Sequence, residues 1–246
     1  MIGVKSLRTK KSRDELGVFI VEGEKFVREI PTSYRVVQYI VSENYKRPID
    51  NLKSRAKVLE VSKAMFDRVT QTTSPQGILA VVEKRIYPLE DAMGNKGFIL
   101  VCESINDPGN LGGLIRTAVA AYASCVVLTQ DSASVWNPKV QRASAGAALK
   151  LPIVMDASIS EIVDYAKKHA FPIYAAHPRG ASLPYDVDMS KKFYLILGSE
   201  SHGLSESATK HADALIRLPM SGKIESLSVV TAGSIIMYEA VRQKSS

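Results

Sequence analysis

The chain has 246 residues, enough for one large domain or two ordinary ones, and its 46% hydrophobic content supports a sizeable core. No apolar run reaches the roughly 18–20 residues of a membrane span. The basic first 13 residues lack the apolar stretch of a signal peptide, so we expect a cytoplasmic protein without a membrane anchor.

The formal net charge of +7 is concentrated near the N-terminus. Residues 1–90 contain 17 Lys and Arg against 11 Asp and Glu, whereas residues 91–246 contain 15 against 14. Five cations precede the first acid: Lys5, Arg8, Lys10, Lys11 and Arg13. A positive patch attracts phosphate backbones of any sequence. The charge favours nucleic-acid binding by the N-terminal third, although a merely soluble basic surface explains the same count.

The N-terminal third predicts a small α/β domain. Apolar runs predict strands at residues 36–41 and 77–82, and helical patterns occur near 22–30, 48–56 and 62–69. Pro88, Gly94, Asn95 and Gly97 interrupt all periodicity and predict a linker. We therefore divide the chain into an N-terminal domain (1–88), a linker (89–97) and a C-terminal domain (98–246).

The C-terminal domain alternates continuous apolar strands with helices. Strands are predicted at 98–102, 126–128, 152–155, 172–176, 193–197 and 214–218, and helices at 111–122, 138–149, 159–169, 204–211 and 229–243. This pattern predicts a mostly parallel sheet covered by helices on both faces. The last helix is apolar around most of its circumference, which favours a homodimer interface, with burial inside one subunit as the alternative.

Three stretches place glycine, proline or small polar residues where an apolar run meets a helix, which is where α/β proteins bind ligands. The first is residues 106–116 (NDPGNLGGLIR), a turn followed by a helix start. Its Arg116 has a guanidinium that suits a phosphate, or else extends over the surface as a long basic side chain. The glycine spacing does not fit a dinucleotide-binding loop.

The second and third stretches are residues 197–203 (LGSESHG) and 218–228 (LPMSGKIESLS). Glu200 could hold an arginine or cap the following helix. Ser226 or Ser228 is a suitable N-cap for the last helix. Lys223 is followed by Ile224, so the third stretch is not a Walker A loop.

Cysteine and histidine patterns indicate no metal or disulfide chemistry. Cys102 and Cys125 lie in apolar runs and are predicted to be buried and reduced. The four histidines and two cysteines show no zinc-ligand spacing, so we expect no metal.

Taken in order, the three stretches resemble the SpoU (TrmH) family of RNA ribose 2′-O-methyltransferases, which have the knotted SPOUT fold. The third stretch has Ser228 where the family usually has asparagine. Residues 142–146 (RASAG) also resemble a family segment, whose small residues suit helix packing within or between subunits. A weaker resemblance at residues 19–23 (FIVEG) and 74–78 (SPQGI) extends to the family's N-terminal, ribosomal-protein-like RNA-binding domain.

The resemblance implies a deep trefoil knot and S-adenosylmethionine as cofactor. It implies that the cofactor is bound by Ala176, Gly198, Leu218, Met220 and Leu227. It places Asn110, Arg116, Glu200 and Ser228 in the catalytic cluster. A guanidinium is a poor base because its pKa exceeds about 12, so we expect Arg116 to hold the phosphate beside the target ribose.

The implied substrate is RNA, and the ribosomal-protein-like domain favours 23S-type ribosomal RNA over transfer RNA. Three alternatives remain: a transfer-RNA 2′-O-methyltransferase, a non-catalytic RNA-binding relative, and a nucleotide-cofactor enzyme. The last would require a dinucleotide fingerprint that the sequence lacks.

Overall fold

The computed structural model describes residues 4–93 and 97–245. The N-terminal part contains a four-stranded sheet whose strands are β1 (Val18–Glu22), β2 (Val36–Ser42), β3 (Lys57–Val61) and β4 (Ile78–Glu83). They lie in the order β1-β4-β2-β3, with β4 antiparallel to β1 and β2, and β2 parallel to β3. The helices of this part are α1 (Lys10–Leu16), α2 (Glu24–Arg28), α3 (Asp50–Lys53) and α4 (Lys63–Val69).

The C-terminal part contains a six-stranded sheet in which every pairing is parallel. Its strands are β5 (Ile99–Glu103), β6 (Cys125–Thr129), β7 (Ile153–Ala157), β8 (Ile173–Ala176), β9 (Tyr194–Gly198) and β10 (Ala214–Ile216). They lie in the order β10-β8-β9-β5-β6-β7. The helices are α5 (Pro108–Ala120), α6 (Pro138–Ala143), α7 (Ile159–Lys168), α8 (Glu206–His211) and α9 (Val229–Ser245).

The second sheet is buried on both faces, as its continuous apolar strands predict. Ile99 and Val101 of β5 pack with Ile162 of α7 in one apolar cluster. Leu100 of β5 points the other way and joins Leu114 of α5 in a second cluster. The predicted parallel sheet with helices on both faces is therefore confirmed. The trefoil knot concerns how the loops pass one another, and it stays a prediction.

The N-terminal part contains elements that the sequence patterns did not reveal. Strands β1 and β3 and helix α1 were not predicted, whereas β2, β4, α2, α3 and α4 lie where expected. Of the predicted linker, Leu89–Met93 forms a 3-10 helix and residues 94–96 lie outside the described residues.

The prediction of one helix over residues 138–149 is wrong. Helix α6 ends at Ala143, and a separate 3-10 helix covers Ala147–Leu149. Between them Ala145 and Gly146 have φ of 50° and 80°, which no right-handed helix can accommodate. A Cβ at Gly146 would lie 3.1 Å from the ring of Phe26, so this turn receives a side chain of the N-terminal part.

The two sheets share one apolar core. The rings of Phe19 in β1 and Trp136 have centroids 4.5 Å apart, and both residues are buried in the cluster that also contains Leu100. At the edge of this contact Lys150 Nζ lies 3.1 Å from Glu29 Oε2. The small residues that precede Leu149 pack within one chain. Ala143 of α6 lies against Gly112 of α5, where a larger side chain would collide with it.

Two of the five leading cations bind backbone carbonyls of the chain itself. Arg13 is buried, and its Nη1 donates to the carbonyls of Leu7 and Arg8 at 2.9 and 2.8 Å. Arg8 in turn donates to the carbonyl of Thr70. Only Arg13 is removed from the surface, since Lys5, Arg8, Lys10 and Lys11 are exposed.

Candidate active site

The carboxyl ends of β8, β9 and β10 meet at one edge of the parallel sheet and surround a cavity of about 380 Å³. Ala176 pairs with Ile216 across β8 and β10, and Gly198 ends the adjacent strand β9. The cavity is lined by residues 176–179, 197–200, 202–204, 216–218, 220, 226–227, 229, 232 and 236. All five residues expected to bind the cofactor, Ala176, Gly198, Leu218, Met220 and Leu227, belong to this lining.

The turn after β9 forms a rigid wall of the cavity. A Cβ at Gly198 would lie 2.3 Å from the carbonyl oxygen of Gly203, so only glycine allows this close approach. The Gly203 amide donates to the Ser199 carbonyl at 2.8 Å, and the His202 amide donates to Ser199 Oγ at 3.2 Å. Gly203 itself has a φ of 68°. These contacts fix the turn and direct its backbone toward the cavity.

One residue that the sequence patterns did not predict, Glu103, holds this wall in place. Glu103 ends β5 directly opposite Gly198, is buried, and accepts a 3.0 Å hydrogen bond from the Ser205 amide. An acid at the end of a fully apolar strand is the signal that could have revealed it. The cations Arg179 and Arg217 at the cavity mouth were also missed, and both are exposed.

The loop between β10 and α9 forms the opposite wall. Met220 is 37% exposed and Leu227 is half-buried, so both present apolar atoms to the cavity. Ser228 begins α9, because its Oγ accepts from the Thr231 amide at 3.2 Å and its carbonyl accepts from the Ala232 amide at 2.9 Å. The expected capping role of Ser228 is confirmed by these hydrogen bonds.

Glu200 lines the cavity but does not cap the next helix. Helix α8 is capped by Ser205, whose side chain accepts from the Ala208 amide at 3.0 Å, so the capping role suggested for Glu200 is wrong. Among residues 4–93 and 97–245, the Glu200 carboxylate makes no hydrogen bond or ion pair, and it is exposed. It is therefore available to a bound molecule.

Asn110 and Arg116 lie on α5, outside the lining of the cavity. Asp107 caps this helix by accepting from the Asn110 amide at 2.8 Å. Arg116 is exposed, and in the described part of the chain its guanidinium has no hydrogen-bond or salt-bridge partner. Helix α5 packs alongside α9, where Thr117 Oγ1 lies 3.1 Å from Ser234 Oγ. Of the four expected catalytic residues, Glu200 lines the cavity, whereas Asn110, Arg116 and Ser228 do not.

The two thiols are buried and unpaired with each other, as expected. Burial raises the pKa of both Cys102 and Cys125 to about 12. Neither thiol is ionised near neutral pH, so neither can serve as a nucleophile there.

In ranges 4–93 and 97–245, no three His, Cys, Asp or Glu side chains are grouped so as to hold a metal ion. No helix in those ranges is both long and apolar enough to span a bilayer.

Comparison with known proteins places this geometry in context. Residues 97–238 match the SpoU rRNA Methylase family, and residues 3–80 match the MRM3-like substrate binding domain. A Bacillus subtilis protein named 23S rRNA (guanosine(2553)-2′-O)-methyltransferase RlmP is 31% identical over 95% of this chain and 92% of its own length.

Two solved structures differ in how much of the chain they cover. The AdoMet-bound rRNA methyltransferase from Sinorhizobium meliloti is 28% identical, with a TM-score of 0.86 over 97% of this chain and 92% of its own. The A. aeolicus TrmH/SpoU tRNA modifying enzyme is 26% identical, with a TM-score of 0.55 over 62% of this chain and 77% of its own. The chain belongs to the SpoU rRNA methylase family, whose members are S-adenosylmethionine-dependent RNA 2′-O-methyltransferases.

Proposed function

We propose that this chain transfers a methyl group from S-adenosylmethionine to a ribose 2′-hydroxyl in 23S-type ribosomal RNA. The observation that carries the proposal is the cavity at the ends of β8, β9 and β10, lined by all five residues expected to bind the cofactor. Ribosomal rather than transfer RNA is favoured because the rRNA-named relatives cover nearly the whole chain, whereas the tRNA-modifying enzyme covers 62% of it.

The residues of the cavity fit S-adenosylmethionine. Its volume of about 380 Å³ falls within the range of small-molecule sites, roughly 300–1,000 Å³. Leu218, Met220 and Leu227 supply apolar surface for the adenine, and the backbone around Gly198 supplies polar groups for its edge. When bound, the cofactor supplies an electrophilic methyl group on a sulfonium. The protein binds the cofactor, excludes water from it, and presents the ribose to it.

Arg116 is proposed to hold the phosphate next to the target ribose. Its guanidinium is exposed and has no partner among the described residues, so its five donors are available to two phosphate oxygens at once. A guanidinium stays protonated at any working pH and is therefore unsuited to accept the hydroxyl proton. Holding the phosphate fixes the 2′-oxygen relative to the methyl group, and such positioning lowers a barrier by several kcal/mol.

Asn110, Glu200 and Ser228 complete the proposed cluster. Glu200 lies at the cavity wall with a free carboxylate, so we assign it contact with the bound molecule or with Arg116. Ser228 Oγ accepts from the Thr231 amide and also forms a 2.9 Å hydroxyl hydrogen bond with Thr231 Oγ1. When Thr231 Oγ1 donates in that bond, the Ser228 hydroxyl proton can be donated to the bound molecule. The side-chain amide of Asn110, at the start of α5, could orient the same phosphate.

We propose that the protein is a homodimer whose interface includes α9. Ile235 and Tyr238 lie on one side of α9 and are 47% and 53% exposed, whereas Ile236 and Met237 are buried in the chain's own core. A second copy that covers this side would also bring its α5 toward the first copy's cavity, which explains why Arg116 lies outside the lining. Sedimentation at micromolar concentration should give twice the 26.9 kDa chain mass. A 27 kDa species would exclude the dimer.

The proposal also divides labour along the chain. Residues 1–88 supply RNA affinity, residues 98–246 bind the cofactor and carry out methyl transfer, and residues 89–97 connect them. A cytoplasmic location accompanies this proposal, because the bacterial relatives act on ribosomal RNA.

The decisive experiment measures transfer of labelled methyl groups to RNA from a strain that lacks the gene. We expect incorporation into a single 2′-hydroxyl of 23S-type RNA and none into purified transfer RNA. Incorporation into transfer RNA alone would favour the tRNA alternative. Tight RNA binding with no S-adenosylmethionine binding by calorimetry would favour the non-catalytic relative.

A further inference from the structure

A second concave site lies in the N-terminal part, far along the chain from the cofactor cavity. It is a groove of about 500 Å³ between the turn after β2 and the loop that joins α4 to β4. Asn44 and Tyr45 line it from the turn, Lys63 and Asp67 from α4, and Thr73 and Gln76 from the loop. We call it the β2–α4 groove.

The wall of the β2–α4 groove is fixed in place before any ligand arrives. The Glu22 carboxylate at the end of β1 accepts from the Gln71 amide at 2.9 Å and from Thr72 Oγ1 at 2.8 Å, and it also accepts from Thr70 Oγ1. Gln76 Oε1 accepts from the Glu24 amide at 2.7 Å, which fastens the far end of the loop to α2. A site with such support loses little entropy when it binds.

The charges in the groove indicate which part of an RNA it can hold. Lys63 Nζ lies 2.7 Å from Asp67 Oδ2, so the lysine charge is balanced within the groove. A phosphate would meet no net positive charge there and would lie near the Asp67 carboxylate. The groove is therefore unsuited to the RNA backbone, in contrast to the basic excess over residues 1–90 as a whole.

The uncharged side chains of the groove are well suited to a nucleobase. The exposed side-chain amide of Asn44, hydroxyl of Thr73 and Nε2 of Gln76 have no hydrogen-bond partner in residues 4–93 and 97–245. Together they offer donors and acceptors of the kind that read the edge of an unpaired base. The half-buried ring of Tyr45 adds an apolar surface beside them.

We propose that the β2–α4 groove binds the base of one unpaired nucleotide of the RNA substrate. The proposal rests on the proposed function and adds to it a recognition point that requires a single-stranded loop or bulge. A duplex is excluded because its bases are stacked and paired, so their edges cannot enter the groove. The surrounding cations attract the backbone, and the groove selects RNA in which a base is free.

The test uses the full-length protein and fluorescence anisotropy with an unstructured RNA of about 12 nucleotides and a blunt duplex of the same length. We expect the double variant Asn44→Ala/Thr73→Ala to bind the single strand at least tenfold more weakly and the duplex unchanged. The dependence of binding on salt should stay as in the wild type, because no charge is removed. The matched control is Asn51→Ala/Thr32→Ala, which truncates an exposed asparagine and threonine outside the groove.

Wild-type affinity in the groove double variant would overturn the proposal. So would a larger loss in Lys63→Gln than in the double variant, accompanied by a weaker salt dependence, since that would place a phosphate in the groove. Photocrosslinking with 4-thiouridine RNA gives a check that does not depend on folding of any variant. Crosslinks to residues 43–46 or 72–77 are expected, and crosslinks confined to the C-terminal part would contradict the proposal.

Methyl transfer measured in parallel separates this proposal from the proposed function. If the wild type transfers methyl groups and the double variant behaves as wild type in both assays, the groove is not a base site and the function stands. If the wild type transfers no methyl groups but the double variant still binds single-stranded RNA more weakly, the groove is supported as a base-binding site and the proposed methyltransferase activity is contradicted.

Discussion

The cofactor cavity and the β2–α4 groove are both fixed in shape, but by different means. The cavity is shaped by the backbone, because Gly198 brings β9 into contact with the Gly203 carbonyl, and by apolar side chains such as Leu227. The groove is shaped by one carboxylate, Glu22, which holds three groups of a loop. The comparison shows that backbone geometry can shape a site whose ligand is always the same small molecule. The proposed site for an RNA base uses side-chain amides and hydroxyls instead.

The largest expected effect tests whether the N-terminal and C-terminal sheets can unfold independently. Phe19→Ala removes the ring that packs on Trp136 at 4.5 Å and should lower the free energy of unfolding by about 3–5 kcal/mol. Because the core is shared, both sheets should unfold in one transition when followed by circular dichroism in denaturant. The control Ile86→Ala, at a position 78% exposed, should change stability by less than about 0.5 kcal/mol.

Two well-separated transitions in the wild type would contradict the shared core.

The same packing predicts that removal of residues 1–90 exposes Trp136 and destabilises the remaining domain. Cofactor binding by that fragment should therefore be measured at low temperature, and point variants are the better test of RNA affinity.

The next effect concerns catalysis in the C-terminal region. Arg116→Ala should reduce methyl transfer at least a hundredfold, about 2.7 kcal/mol in barrier, with little change in cofactor or bulk RNA affinity. Arg116→Lys should recover little, because an ammonium cannot bind two phosphate oxygens at once. The measurement is incorporation of labelled methyl groups into unmodified ribosomal RNA.

Lys167→Ala provides the matched control for Arg116. Lys167 is exposed on α7, which packs on the opposite face of the sheet from α5, so its loss should leave turnover unchanged. If Arg116→Ala keeps more than about a tenth of wild-type turnover, a loss below about 1.4 kcal/mol, then Arg116 is not a catalytic residue.

A smaller effect tests whether Leu227 contacts the adenine of the cofactor. Leu227→Ala removes apolar surface expected to contact the adenine and should weaken S-adenosylmethionine binding roughly tenfold by calorimetry. Gly198→Val is a poorer probe, because its side chain would collide with the Gly203 carbonyl and disrupt the turn itself. Ile224→Ala, in the same loop but 55% exposed and outside the lining, should bind the cofactor as the wild type does. If the Leu227 and Ile224 variants bind S-adenosylmethionine with equal affinity, the adenine does not contact Leu227.

The smallest effect is the change in pH dependence when one buried thiol of the C-terminal sheet is removed, about 1 kcal/mol between pH 9 and 10. Burial raises the pKa of Cys102 and Cys125 from 9.0 to about 12, so above pH 9 the unfolded chain loses thiol protons that the folded protein keeps. Stability is therefore full below pH 9 and falls as the pH rises toward 12, by about 1.4 kcal/mol per pH unit for each thiol. Denaturant unfolding of Cys102→Ala between pH 9 and 10 should show a shallower decline, and an unchanged slope would refute this origin.

The sequence predicted the elements of the C-terminal sheet well because each strand is a continuous apolar run. The five cofactor residues implied by the family resemblance line one cavity. Two of them, Ala176 and Gly198, end parallel strands, whose carboxyl ends meet at one edge of the sheet. Strand β3 was missed because it is an edge strand whose Lys57 and Glu60 face solvent and hide the apolar signal. The break at Gly146 could not be foreseen, because it depends on contact with Phe26, more than one hundred residues away.

The β2–α4 groove could not be predicted for a related reason. Its walls come from residues 42–45, α4 and the loop through Gly77, which are separate stretches of the sequence. Only the fold brings them together, with Glu22 as the link. By contrast Arg116 was noted from its neighbours, but its absence from the cavity lining needed the three-dimensional structure.

The packing of Phe19 on Trp136 has a consequence for substrate selection. Because both sheets are built on one core, the separation between the β2–α4 groove and the cofactor cavity is set by the protein and not by a flexible tether. An RNA can then be modified only if its free base and its target ribose lie that far apart in space, however distant they are along the strand. Tertiary folding of the RNA, and not a short sequence motif, would decide which nucleotide receives the methyl group.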